Sequence, residues 1–125
     1  MGTRAQIDVR QGNKVIRLYS QYDSYPRNIL PALRAAASAG YSKPSSIARA
    51  IIKYFPDDFG MRVITEDRAD VSYRYTVDAS SKPWRVRQTR TACYEMPTNA
   101  DGSLDDSFTT NKLLPAVTRS FRIGK

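Results

Sequence analysis

Residues 84–90, Trp-Arg-Val-Arg-Gln-Thr-Arg, set the only tryptophan of the chain beside three arginines. On a β-strand, alternation sorts them into Arg85 and Arg87 on one side and Trp84, Val86, Gln88 and Arg90 on the other. An indole plane next to guanidinium forks is what a purine nucleotide requires: stacking for the base and bidentate hydrogen bonds for the phosphates. The same spacing fits a plainer arrangement, with Trp84 and Val86 in the core and Arg85 and Arg87 in water. Tyr22, Tyr25, Tyr73 and Tyr75 offer further planes, although most aromatic residues on strands belong to the core. Arg62, Arg85, Arg87 and Arg119 are candidates to hold a pyrophosphate. Arg119 and Arg122 either close over a ligand, reach a neighbouring subunit or lie solvated.

The chemistry missing from the chain narrows the choice. There is no histidine and one cysteine, Cys93, so the commonest general base, metal ligand and triad partner are absent. Asp57-Asp58 and Asp105-Asp106 are adjacent pairs, and adjacent acids point apart more readily than they chelate. The six glycines form no phosphate loop, dinucleotide fingerprint or nucleophile elbow. Binding without catalysis is the expectation, with no metal and no cofactor.

The formal charge is +8, from fourteen Arg and six Lys against twelve acids. Such a balance draws in phosphates, on a polymer or on a small nucleotide. Arg34, Lys43, Arg49 and Lys53 lie in residues 32–56, which contain no acid, and they make a nucleic-acid-binding helix surface the alternative reading. A lone cysteine and the absence of a secretory pattern or a long apolar run point to a cytosolic protein without a membrane span.

These residues need a scaffold, and 125 residues with 41% apolar and 26% charged side chains suit one folded domain over 1–125. Residues 4–10 alternate Ala5, Ile7 and Val9 against Arg4, Gln6, Asp8 and Arg10, Gln11-Gly12-Asn13 forms a turn, and residues 14–22 return, giving a hairpin. Asp23-Ser24-Tyr25-Pro26 interrupts it. A helix follows, starting at Pro26 or nearer Asn28 because of Pro31, with Ile29, Leu30, Leu33 and Ala37 at helical spacing until Gly40. A second helix opens near Ser42-Lys43-Pro44-Ser45, capped by Ser42 or Ser45, and buries Ile47, Ala48, Ile51, Ile52 and Phe55.

Three strands are expected at 61–65, 71–78 and 84–94. Their short polar connections, 66–70 and 79–83, favour an antiparallel meander. Residues 96–108 read as a mobile or ligand-covering loop. Residues 109–121 carry Leu113, Leu114, Val117 and Phe121 at helical spacing, a terminal helix weakened by Pro115. Leu113, Leu114 and Val117 suit a dimer seam or a docked helix equally. The expected fold is α+β: an antiparallel sheet of about five strands built from a hairpin, two helices and a three-stranded meander, then a C-terminal loop and helix.

Met1-Gly2-Thr3-Arg4-Ala5-Gln6-Ile7, Leu18-Tyr19-Ser20-Gln21-Tyr22-Asp23-Ser24-Tyr25-Pro26 and Ile29-Leu30-Pro31 resemble the Thoeris anti-defence protein one family of small phage proteins. The likeness covers about the first 35 residues, and Ser24 stands where the family turn often has glycine. The resemblance implies a sponge that sequesters cyclic nucleotide immune signals without cleaving them: glycocyclic ADP-ribose isomers and, in some relatives, cyclic di- or trinucleotides at separate sites. It also implies a homodimer that can assemble further into a hexamer, in the cytoplasm of an infected bacterial host. Family ligand contacts come from arginines, an aromatic residue and an asparagine. Together the two readings nominate Tyr22, Asp23, Arg27, Arg62, Trp84, Arg85, Arg87, Asn99, Phe108 and Arg119 as ligand-binding residues.

Overall fold

The computed structural model describes residues 3–22, 24–91, 93–94 and 113–124. Strands β1 (Ala5–Gln11) and β2 (Lys14–Ser20) form the expected hairpin, with Gln11 opposite Lys14. Gly12 closes it at φ 60°, a left-handed conformation that a Cβ would penalise. Ser24 then anchors the next turn. Its buried hydroxyl lies 2.6 Å from that of Ser20, and its backbone N–H donates to the Thr3 carbonyl at 3.0 Å.

Helix α1 (Pro26–Ser38) starts at Pro26, where a missing N–H costs nothing, and it continues through Pro31. It buries Ile29, Ala32, Leu33 and Ala36, and helix α2 (Pro44–Tyr54) buries Pro44, Ile47, Ala48 and Ile51. The serine caps expected for α2 do not form. Lys43 is the N-cap, no side chain caps the helix, and Pro44 supplies the first turn instead.

After a short 3-10 turn at Asp57–Phe59 come β3 (Arg62–Ile64), β4 (Tyr73–Asp78), β5 (Trp84–Arg90), β6 (Cys93–Tyr94), β7 (Leu113–Leu114) and β8 (Val117–Ile123). The main sheet has six strands in the order β3-β2-β1-β4-β5-β8, and β6 pairs with β7 in a separate ladder. The fold is α+β, but two expectations fail. The sheet is mixed, because β4 runs parallel to β1, with Ile7 opposite Tyr75 and Val9 opposite Val77. The expected C-terminal helix is replaced over Val117–Ile123 by strand β8, antiparallel to β5 along its length. Val117, Arg119, Phe121 and Ile123 share one face of β8 by period-two alternation, which proline and the β-branched residues favour over a helix.

The parallel pairing follows from the route of the chain. To pass from β3 at one edge to β4 beyond β1, residues 65–72 cross over β2 and β1. They do so on the face opposite the helices. On the helical face, one cluster joins Ile7, Val9 and Leu18 of the hairpin to Ile29, Leu33, Ile47 and Ile51 of the helices. It continues into Tyr75, Val77, Trp84, Val86 and Ile123. Each large aliphatic side chain buried here contributes about 1.5–3 kcal/mol. No helix among the described residues is long and apolar enough to cross a membrane.

Candidate functional site

The arginines divide into two populations. Around the β3–β4 crossover they are engaged with carboxylates. Arg17 Nε donates to Asp8 at 3.0 Å, Arg74 Nη1 to Asp67 at 2.6 Å, and Arg4 Nη1 and Arg68 Nη2 to Asp70 at 3.2 and 3.1 Å. Gln6 is buried beneath the crossover, donating to Asp67 at 2.7 Å and accepting the Arg68 backbone N–H at 2.8 Å. Arg74 also donates to the Arg68 carbonyl. The bond from Gln6, and then that from Arg74, holds the Asp67 carboxyl below the usual carboxylate range, and Arg68 does the same for Asp70. Tyr19, also buried, lies under the guanidinium groups of Arg68 at 4.4 Å and Arg62 at 5.1 Å. These contacts fasten the crossover to the sheet.

On β4, β5 and β8 the picture reverses. On the open face, Arg10, Asp78, Arg85 and Arg122 form one row across four strands, and Thr76, Arg87 and Ser120 form the next. Arg85, Arg87 and Arg122 line a shallow cavity of about 450 Å³ with Thr76, Asp78 and Ser120. Asp78 is already satisfied. Its carboxylate accepts the Ser80 backbone N–H at 3.0 Å, and that bond lowers its pKa. None of Arg10, Arg85, Arg87 and Arg122 forms an ion pair with a described carboxylate.

The helical face of the same strands carries a second constellation. Tyr73 makes an edge contact with Tyr25 at 6.3 Å between centroids and stacks on Tyr75, also at 6.3 Å. The Arg27 guanidinium covers Tyr25 at 4.6 Å. On β5, Gln88 lies opposite Tyr75 and Arg90 opposite Tyr73, while Arg119 of β8 lies opposite Gln88. Among the described residues, three buried polar atoms here have no hydrogen-bond partner: Tyr75 Oη, Gln88 Oε1 and Arg90 Nε. Tyr75 and Gln88 are 1% and 6% exposed. Burial, and to a lesser degree Tyr73, pushes the Tyr75 hydroxyl above the ordinary phenol range. It is therefore a neutral hydroxyl at any physiological pH. The three atoms, one acceptor, one N–H donor and one hydroxyl, lie enclosed within a single buried patch.

The nominated residues are thus divided between faces. Arg85 and Arg87 meet on the open face, as alternation predicts, and Arg62 lies on that face but on edge strand β3. Trp84 is 2% exposed and packed in the core with Val86 and Ile123, so its ring is not offered to a ligand at the surface. Arg119 and Arg27 belong to the helical face, while Tyr22 is exposed in the turn after β2. Asp23, Asn99 and Phe108 lie outside the described residues. Gln88 and Arg90 were not nominated. Their signal in the sequence is a polar side chain on the core-facing parity of a strand otherwise occupied by Trp84 and Val86. Among the described residues no group of three His, Cys, Asp or Glu is placed to hold a metal ion. No family model matches the chain, and no curated protein or solved structure matches it.

Proposed function

We propose that the protein captures a small cyclic nucleotide messenger and holds it unchanged. The reading rests on the three unpaired polar atoms beside the tyrosine ladder, Tyr75 Oη, Gln88 Oε1 and Arg90 Nε. Each unpaired buried polar group costs about 1–3 kcal/mol, and a nucleobase edge carries the alternating donors and acceptors that would recover it. Gln88 Oε1 accepts from an exocyclic amine, Arg90 Nε donates to a ring nitrogen or carbonyl, and the tyrosines supply apolar planes. Arg119 and Arg27 flank the patch and neutralise the phosphates. The likeness of the first 35 residues to the Thoeris anti-defence protein one family supplies the messenger class, a glycocyclic ADP-ribose isomer or a cyclic oligonucleotide. It also supplies the setting, the cytoplasm of an infected bacterium. A sponge needs slow release and no turnover, which suits a chain without histidine. The homodimer implied by that likeness has an available surface in β8, an edge strand on which Val117 is 47% exposed.

The test is retention. Protein incubated with a cyclic ADP-ribose isomer or a cyclic dinucleotide is freed of unbound ligand, heated, and the supernatant analysed by mass spectrometry. Recovery of the intact messenger is expected, and recovery of none, or of a linear product, refutes the reading.

A second reading has its own observation. The rows containing Arg10, Arg85, Arg87 and Arg122 make a flat basic surface suited to a nucleic-acid backbone, on the sheet rather than on the α2 surface that the sequence suggested. Binding of this kind weakens steeply with salt and tightens with strand length. Capture in the tyrosine patch does neither to the same degree.

A further inference from the structure

The largest cavity among the described residues lies beside α2, apart from the Arg85–Arg87–Arg122 rows and from the patch around Tyr75 and Gln88. It is a groove of about 740 Å³ between α2 and the β2–β3 edge, walled by Val15, Ile16, Ala48, Ile52 and Val63. That volume falls within the range of about 300–1,000 Å³ typical of small-molecule sites. The walls are aliphatic, with no aromatic ring among them, and Val63 is 57% exposed. The face of α2 that lines the groove carries Ser45, Ala48, Arg49 and Ile52, at helical spacing, followed by Lys53. Arg49 and Lys53 form no ion pair with a described carboxylate, and no acid lines the groove. Arg17, the third cation at its edge, is held by Asp8 at 3.0 Å.

We propose that this groove is a second ligand site, for a free straight-chain acyl carboxylate. The aliphatic walls take the chain and exclude the need for a ring, since nothing here would stack on one. Arg49 and Lys53 fix the sign and the place of the head group. A cationic amphiphile meets two uncompensated positive charges, and a neutral one forfeits the rim.

The test uses the full chain and saturated carboxylates of eight, ten and twelve carbons, titrated calorimetrically below their micelle concentrations. Affinity should rise about fourfold per methylene, the increment for burying one CH₂ group. The alcohols of equal length should bind at least about tenfold more weakly, as loss of a charged hydrogen bond requires. Val63→Asp, at an exposed position that leaves the core intact, should reduce decanoate affinity at least about tenfold, and Arg49→Gln with Lys53→Gln should erase the preference over the alcohol. Affinity independent of chain length, or unchanged in Val63→Asp, overturns the proposal. So does binding to phospholipid vesicles in place of the free acid, which assigns the groove to a membrane. A dimer in sedimentation that Val63→Asp dissociates also overturns it, by assigning the groove to a second copy.

Discussion

Arg68 and Arg85 carry the same guanidinium on the same side of the sheet, yet one is committed and the other is not. Around the β3–β4 crossover, Arg4, Arg17, Arg68 and Arg74 are paired with Asp8, Asp67 and Asp70. Across β5 and β8, Arg85, Arg87, Arg119 and Arg122 pair with no described carboxylate, and the helical side of β4 and β5 adds three buried polar atoms unpaired among the described residues. The first set explains a fold, because a connection that crosses two strands needs polar contacts to hold it there. The second set makes only weaker contacts of that kind, Arg122 reaching the Pro83 carbonyl at 3.5 Å and Arg119 lying over Phe121 at 5.4 Å. Net charge alone does not distinguish them, and counting arginines overstates how many are available to a ligand.

Breaking each half should therefore give a different kind of loss. The largest effect belongs to neither set: Trp84→Ala removes a core ring and should cost about 3–5 kcal/mol of stability, read from urea unfolding. A loss of capture in that variant would report unfolding, and an unaltered unfolding midpoint would show the ring to be free. On the committed half, Asp8→Ala strands the partly buried Arg17 and should cost about 1–3 kcal/mol while leaving messenger affinity unchanged. On the uncommitted half, Arg119→Ala should weaken capture by at least about 1.5 kcal/mol, measured by calorimetry, and leave the unfolding midpoint in place.

Acid sharpens the contrast. Asp67 and Asp70 have folded-state pKa values below the ordinary 3.8. The stability they add is therefore present above that value and is lost as pH falls through their lowered values. Proteolysis within residues 65–72 should accelerate below about pH 4, before the core cluster opens. The smallest effect is expected of Arg85→Ala and Arg87→Ala, within about 0.5 kcal/mol in stability. If nucleic acid binds the open face, those two variants reduce the salt dependence of its binding.

Much of the scaffold was legible. Gly12 between two alternating runs gave the hairpin, the stripes through Ile29 and Ile47 gave both helices, and Tyr73, Tyr75 and Val77 marked a strand. The parity of Arg85 and Arg87 against Trp84 and Val86 was readable too. Which parity faced the core was not, because it depends on the two helices packing across the sheet. The parallel β1–β4 pairing was hidden because the short connection after β3 looked like a hairpin link, while its path over β2 and β1 is set by long-range contacts such as Arg68 N–H to Gln6. Leu113, Leu114, Val117 and Phe121 fit period 3.6, which favours a helix over β7 and β8, although Val117, Phe121 and Ile123 also fit period two. Gln88 and Arg90 stood in plain view as polar residues on a core-facing parity. Their importance appears only once Tyr75 is seen opposite Gln88.

The most direct test of the account is a calorimetric titration of a cyclic ADP-ribose isomer into the wild-type chain and into Gln88→Leu, with urea unfolding of both. Replacing Gln88, whose buried Oε1 is unpaired among the described residues, by leucine should leave the unfolding midpoint close to wild type, and it should cut affinity by about tenfold or more. Full affinity in Gln88→Leu would contradict the claim that these buried polar atoms are held ready for a nucleotide.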